Sequence, residues 1–126
     1  MAENYGITEE SMTASNLLAG SHGVILYPVT LGSGAGSLKT GQVLGRRSAD
    51  NKYYKFSATA TDGTQTPRAI LARDTDAASA DAVSVAYVHG EFSTDALDWG
   101  SATSAQIEEA KRVFMQAGIY VKKIGG

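Results

Sequence analysis

Apolar positions along the chain fall into short runs separated by breaks rich in Gly, Asp and Ser, with one longer helical period near the C-terminus. Over residues 1–22 the apolar residues Tyr5, Ile7, Met12, Leu17 and Leu18 stand alone among Ser, Thr, Asn, Glu and Gly. Without a sustained period they predict an extended arm, with the folded body over 23–126. GVILYPVTL follows as a β-branched and aliphatic run, and Pro28 within it cannot donate to a ladder, which predicts an edge strand or a strand end. GSGAGS reads as a plain flexible turn. KTGQVLGRR and KYYKFSA predict two short strands joined through Asp50 and Asn51, and the Asp62-Gly63 turn leads to RAILA.

RDTDAASADA predicts a loop before the clearest strand, VSVAYVHG. There Val83, Val85 and Tyr87 share one face and Ala86 and Val88 the other, the two-sided apolar pattern of a central strand. TSAQIEEAKRVFMQAG changes to helical spacing. Thr103 and Gln106 have the spacing of a capping box, Gly118 suits the position just past the helix end, and Ile107, Ala110, Val113, Phe114 and Ala117 form the apolar stripe. Glu108 and Arg112 are placed to pair on the wet side, and IYVKKI supplies a last strand or ordered tail. The fold class is mainly β (α+β), a small single β-rich domain with an N-terminal arm and a short C-terminal helix.

Composition narrows the functions open to this fold. The 126 residues fit one domain with a core, and 43% hydrophobic against 19% charged residues fits a folded chain. A net charge of −2, from 11 Lys and Arg against 13 Asp and Glu, offers no field to draw in nucleic acid. Cysteine is absent from the sequence, which removes disulfides, thiolate metal ligands and cysteine nucleophiles. The start has neither the basic region nor the apolar run of a signal peptide, and no stretch is apolar enough to span a bilayer, so synthesis in the cytoplasm with no membrane partner is expected.

Candidate chemistry is sparse. AYVHGEFSTDALDWG gathers His89, Glu91, Asp95 and Asp98, but a zinc site needs three or four converging ligands and a triad needs an oriented nucleophile. The other histidine is His22, and no catalytic, metal-ligating or cofactor-binding residue is assigned. If the strand continues, His89 and Glu91 share a face, although Gly90 favours a bulge. The simpler reading is that HGEF turns a strand into a polar loop anchored by Phe92, Leu97 and Trp99. GSGAGS has Ser37 where a dinucleotide loop needs glycine, and no helix follows it. GRRSADNKYYK interleaves Arg46, Arg47, Lys52 and Lys55 with Tyr53 and Tyr54, a pattern that a single-stranded nucleic acid site and a solvated hairpin share. Asp74, Asp76 and Asp81 lack the Gly and Glu of a calcium loop and read as turn formers. Phe92 reads as core, whereas Leu97 and Trp99 are candidates for an oligomer contact, with core packing the alternative for Trp99.

The order of features carries a resemblance. A polar arm, LKTGQVLGR, a DGT turn before RAILARDTDA, VSVAYVHGEFSTDAL and a closing EEAKRVFMQAGIYV resemble the head decoration protein family of tailed bacteriophages over residues 24–122. That resemblance implies a non-enzymatic structural protein without cofactors. It implies a homotrimer over three-fold positions on the outer surface of the expanded head, holding the major capsid protein against DNA pressure. It also implies an arm that becomes ordered on the shell. Carried onto this chain, the arm covers Ala2 to about Gly23, with Tyr5, Ile7, Leu17, Leu18 and Val24 as the capsid-binding positions. A tail or baseplate adaptor uses similar parts and is the nearer alternative; a small hydrolase or metal-dependent enzyme is the more distant one.

Overall fold

Pairing of the apolar runs generates a ring of strands. The computed structural model describes residues 23–122; residues 1–22 and 123–126 lie outside the described residues, and with them the predicted arm and its positions Tyr5, Ile7, Leu17 and Leu18. The elements are β1 (Ile25–Leu31), β2 (Gly36–Leu38), β3 (Val43–Arg46), β4 (Tyr53–Lys55), β5 (Pro67–Leu71), β6 (Thr75–Ala77), β7 (Ala82–Ser93), α1 (Ser104–Ala117) and β8 (Ile119–Lys122). Among the described residues strands take 43% and helical residues, a short 3-10 turn included, 17%, the mainly β chain with one C-terminal α-helix that the periodicities predict.

The main sheet runs β1-β4-β3-β5-β7-β8, and β1 pairs also with β7, so five strands close on themselves while β8 extends the sheet beyond β7. β7 is central as expected, antiparallel to β1 and β5 and parallel to β8. A parallel neighbour needs a crossover, and α1 provides it. Alternation along the strands feeds two cores. Val29, Leu31, Leu44, Ala69, Leu71 and Ala86 fill the inside of the ring with Leu38 and Ala77. Val43, Ile70, Tyr87 and Phe92 face outward beneath α1, where Phe56, Leu97, Trp99, Ala110, Phe114 and Ile119 complete a second core.

The helix ends follow the sequence closely. Thr103 accepts from the Gln106 N–H at 3.2 Å, Gln106 Oε1 accepts from the Thr103 N–H at 2.8 Å, and Gly118 closes the helix in the left-handed region at φ 95°. The buried stripe is narrower than predicted: only Ala110 and Phe114 are fully buried, and Ala117 is exposed. Glu108 pairs with Lys111 and Glu109 with Arg112, one turn apart, in place of the expected Glu108–Arg112 pair.

Three loop expectations are corrected. GSGAGS ends in β2, which pairs with β6 out of RDTDAASADA to form a separate two-stranded ribbon. Two carboxylates tie this region down: Asp74 accepts from the Thr40 N–H at 2.7 Å, and Asp81 from the Ser33 N–H at 2.8 Å. HGEF does not end its strand, because β7 continues to Ser93 by pairing with β8. Within β7, Val83 is exposed while Ser84 is buried and meets Thr75 Oγ1 at 2.6 Å, so the N-terminal part of this strand has one wet face.

Candidate functional site

The surface that stands out is the flank of β1, where the chain enters the body. From Ile25 to Leu31 this strand pairs with β7, but on its other side it reaches β4 only at Leu31. Among the described residues, therefore, its β4-facing flank is open along Ile25–Thr30. Pro28 explains why the fold accepts this arrangement: it has no N–H to donate, and proline belongs on an edge. Along this strand Ile25 is 53% and Tyr27 63% exposed, and Val83, opposite Thr30 on β7, is 75% exposed. Three large apolar side chains at the rim of an open edge are costly in an isolated molecule and suit a surface that a partner covers.

Val24 anchors the entry. It is half-buried against the outer core, and its Cγ1 lies 3.0 Å from where a Cβ on Gly90 would sit. Gly90 has φ +146°, a conformation that L side chains rarely adopt, so the strand bends here at a residue that accepts both the geometry and the close approach. The register confirms a bulge: Leu26 lies opposite Tyr87 but Ile25 opposite His89, which leaves Val88 as the extra residue. Alternation then changes phase, which is how Tyr87 and Phe92 both enter the outer core with their rings 5.2 Å apart.

The same bend places the group His89, Glu91, Asp95 and Asp98. His89 packs edge-on to Tyr120 with centroids 6.3 Å apart, and Glu91, whose backbone partner is Tyr120, meets Lys122 Nζ at 3.1 Å. Asp95 lies in the short 3-10 turn Thr94–Ala96, and Asp98 Oδ1 accepts from the Gly100 N–H at 2.8 Å. Among the described residues no three His, Asp or Glu side chains converge as metal ligands.

Leu97 and Trp99, the candidate oligomer contacts, are 8% and 7% exposed and sit in the outer core. Trp99 packs on Phe56 and Phe114 with centroids 6.4 and 6.1 Å away, and its Nε1–H donates to the Thr94 carbonyl at 3.2 Å. Their side chains have little area left to offer a second chain.

The basic and aromatic stretch forms an internal clamp. Arg47 Nη2 donates to Asp50 Oδ2 at 2.6 Å and to the Tyr54 hydroxyl at 2.5 Å, and that hydroxyl donates to Asp50 at 2.9 Å. The Arg47 hydrogen bond, aided by the Lys52 N–H, holds the Asp50 carboxyl far below the usual carboxylate range, while burial pushes the Tyr54 phenol up. Lys52 Nζ bonds Asp81 at 2.5 Å and lowers that carboxyl too, so the β3–β4 hairpin is stitched to the start of β7. Asp74 is lowered by the Thr40 N–H and hydroxyl, and Asp62 by the Thr64 hydroxyl.

Sequence reasoning named Val24 as a capsid-binding position, where the structure has it packed against the outer core, and did not single out the exposed Ile25, Tyr27 and Val83, since identity alone does not separate an exposed apolar residue from a buried one. Pro28 was the available signal. No helix among the described residues is long and apolar enough to cross a membrane. A comparison with curated proteins finds no match. The family described as bacteriophage lambda head decoration protein D matches residues 6–119, most of the body and much of the segment before it. With nearly the whole chain matched, this protein belongs to the bacteriophage lambda head decoration protein D family.

Proposed function

We propose that the chain acts as a trimeric clamp at three-fold positions on the outer surface of an expanded phage head, where it stabilises the shell against the pressure of packaged DNA. Membership of a structural phage family supports a virion role without enzymatic chemistry. The observation that carries the clamp is the open flank of β1, with exposed Ile25 and Tyr27, continuous in sequence with residues 1–22.

An edge of this kind, led by a segment with spaced apolar residues, suits strand addition to the major capsid protein. Main-chain hydrogen bonds supply affinity, and alternate side chains supply specificity. In this reading Tyr5, Ile7, Leu17 and Leu18 fill pockets on the capsid protein, and Val24 fixes where the arm leaves the body. Leu97 and Trp99 serve self-association indirectly, by holding the loop between β7 and α1 in shape.

Ordering an arm costs roughly 1–2 kcal/mol per fixed residue, so one arm alone binds modestly. Three arms on one trimer gain avidity on the order of 100-fold or more, because the second and third bind at high effective concentration. A ligand that recognises only the expanded lattice stabilises it by about 2.7 kcal/mol per site at a hundredfold excess over Kd, repeated at every site. Deletion of residues 2–20 tests the arm: the shortened chain folds and self-associates but attaches weakly to expanded heads. Attachment equal to that of the full chain overturns the arm mechanism.

A further inference from the structure

The loop between β4 and β5 holds the one Asp-Gly pair in the sequence, Asp62-Gly63. Such a pair is chemically labile. The glycine nitrogen attacks the aspartate Cγ, a C–N bond forms, and a carboxyl oxygen leaves as water with the amide proton and the proton of the acid form. Water then opens the succinimide, and opening at the α carbonyl leaves the main chain running through the side-chain carboxyl as isoaspartate. Glycine permits this because it has no side chain to hinder the attack and turns freely into the geometry required.

The fold needs the glycine all the same. Gly63 has φ +110°, and a Cβ there would lie 2.5 Å from the Arg46 carbonyl oxygen and 2.8 Å from Ser48 Oγ. The turn is also fastened to the ring. The Asp62 carbonyl accepts from the Ser48 N–H at 2.8 Å, and the Thr64 carbonyl from the Ser57 N–H at 3.1 Å. Thr64, 4% exposed, lies so close to Gly45 of β3 that a Cβ on Gly45 would sit 2.5 Å from the Thr64 Cα. An extra main-chain atom at Asp62 would displace Thr64 from this seat, so isomerisation here reaches a ring strand.

Both reacting groups are engaged elsewhere. The Gly63 N–H donates to Gln65 Oε1 at 2.8 Å, and Asp62 Oδ1 accepts from the Thr64 N–H at 3.0 Å and the Thr64 hydroxyl at 2.6 Å. The two bonds from Thr64 favour the carboxylate and hold the Asp62 carboxyl below its ordinary range, whereas loss of water needs the acid form. We propose that Thr64 and Gln65 guard Asp62-Gly63 against isoaspartate formation, by occupying the carboxyl and the amide that would otherwise react. The guard does not depend on the clamp reading. It suits a virion protein, because a released particle has no synthesis to replace damaged copies.

Trypsin releases the site as FSATATDGTQTPR, residues 56–68, whose aspartyl and isoaspartyl forms are separated by liquid chromatography and mass spectrometry. The full chain and a synthetic peptide of that sequence are kept side by side for weeks at neutral pH. The full chain converts about tenfold or more slowly than the peptide, the factor set by releasing one hydrogen bond to a charged group. Gln65→Ala and Thr64→Val each raise the full-chain rate severalfold, while Thr64→Ser, which keeps the hydroxyl, stays near the parent. Thr66→Ala, one position past the guard, also stays near the parent and controls for general loosening of the turn. A full chain that converts as fast as the peptide overturns the guard, as do Gln65→Ala and Thr64→Val at the parent rate. Acceleration by Thr66→Ala equal to theirs overturns it too, since the effect then belongs to turn rigidity. Attachment to heads plays no part in the readout, so guard and clamp fail separately.

Discussion

Replacing Trp99 with alanine separates a core role from a subunit contact. In the folded chain the indole is 7% exposed, sits between Phe56 and Phe114, and donates to the Thr94 carbonyl. Truncating a buried aromatic costs about 3–5 kcal/mol through lost transfer energy and the cavity left behind. Each ring pair contributes about 0.5–1.5 kcal/mol and the hydrogen bond about 1 kcal/mol, and these overlap with the truncation cost instead of adding to it. Against a total stability of about 5–15 kcal/mol for an ordinary domain, the loss is large. Urea denaturation followed by far-UV circular dichroism, repeated over a wide range of protein concentration, reads it. The expected result is the same drop in stability at every concentration. A loss under about 1 kcal/mol, or one that changes with concentration as subunit dissociation does, refutes the placement of Trp99 in the core of a single chain.

Acid should weaken the fold in a specific window. Asp50, Asp62, Asp74 and Asp81 are all held below the ordinary 3.8, so their stabilisation is fully present above about pH 4 and is lost as pH falls through the depressed native values. Asp50→Asn and Asp81→Asn should each be less stable near neutrality and lose less on acidification; an unchanged acid profile contradicts the clamp around Arg47 and Lys52. Thr103→Ala removes the N-terminal cap of α1 and should cost about 1 kcal/mol in thermal or urea unfolding, and no measurable loss would show that the cap is replaced by water. Gly90→Ala forces a side chain into φ +146° and against Val24, with an expected cost of about 1–3 kcal/mol; a neutral substitution would mean that the bulge relocates.

Much of this architecture was legible from local signals. The helix was read to both ends because its capping box, stripe and terminal glycine are all local, and the β3–β4 hairpin because Asp50 and Asn51, the latter at φ 59°, form its turn. What escaped was held by distant partners. The β2–β6 ribbon has strands of three residues and depends on Asp74 reaching Thr40 and Asp81 reaching Ser33, contacts 34 and 48 positions apart. HGEF stays in a strand only because β8 returns from beyond the helix to pair with it. Closure of β1 onto β7 is a matter of tertiary register, so the exposure of Ile25, Tyr27 and Val83, on which the proposed interaction surface rests, was invisible until that register was known.

Among the described residues the chain forms a strand ring whose entry strand has one flank open, and the clamp reading holds that this flank and its leading segment grip a matured lattice. Co-sedimentation with compact proheads and with expanded heads lacking the protein, both from the phage that encodes it, measures that selectivity. Saturable binding to expanded heads alone, with one trimer per three-fold position, is the predicted result. Equal binding to both forms, or to neither, would contradict it.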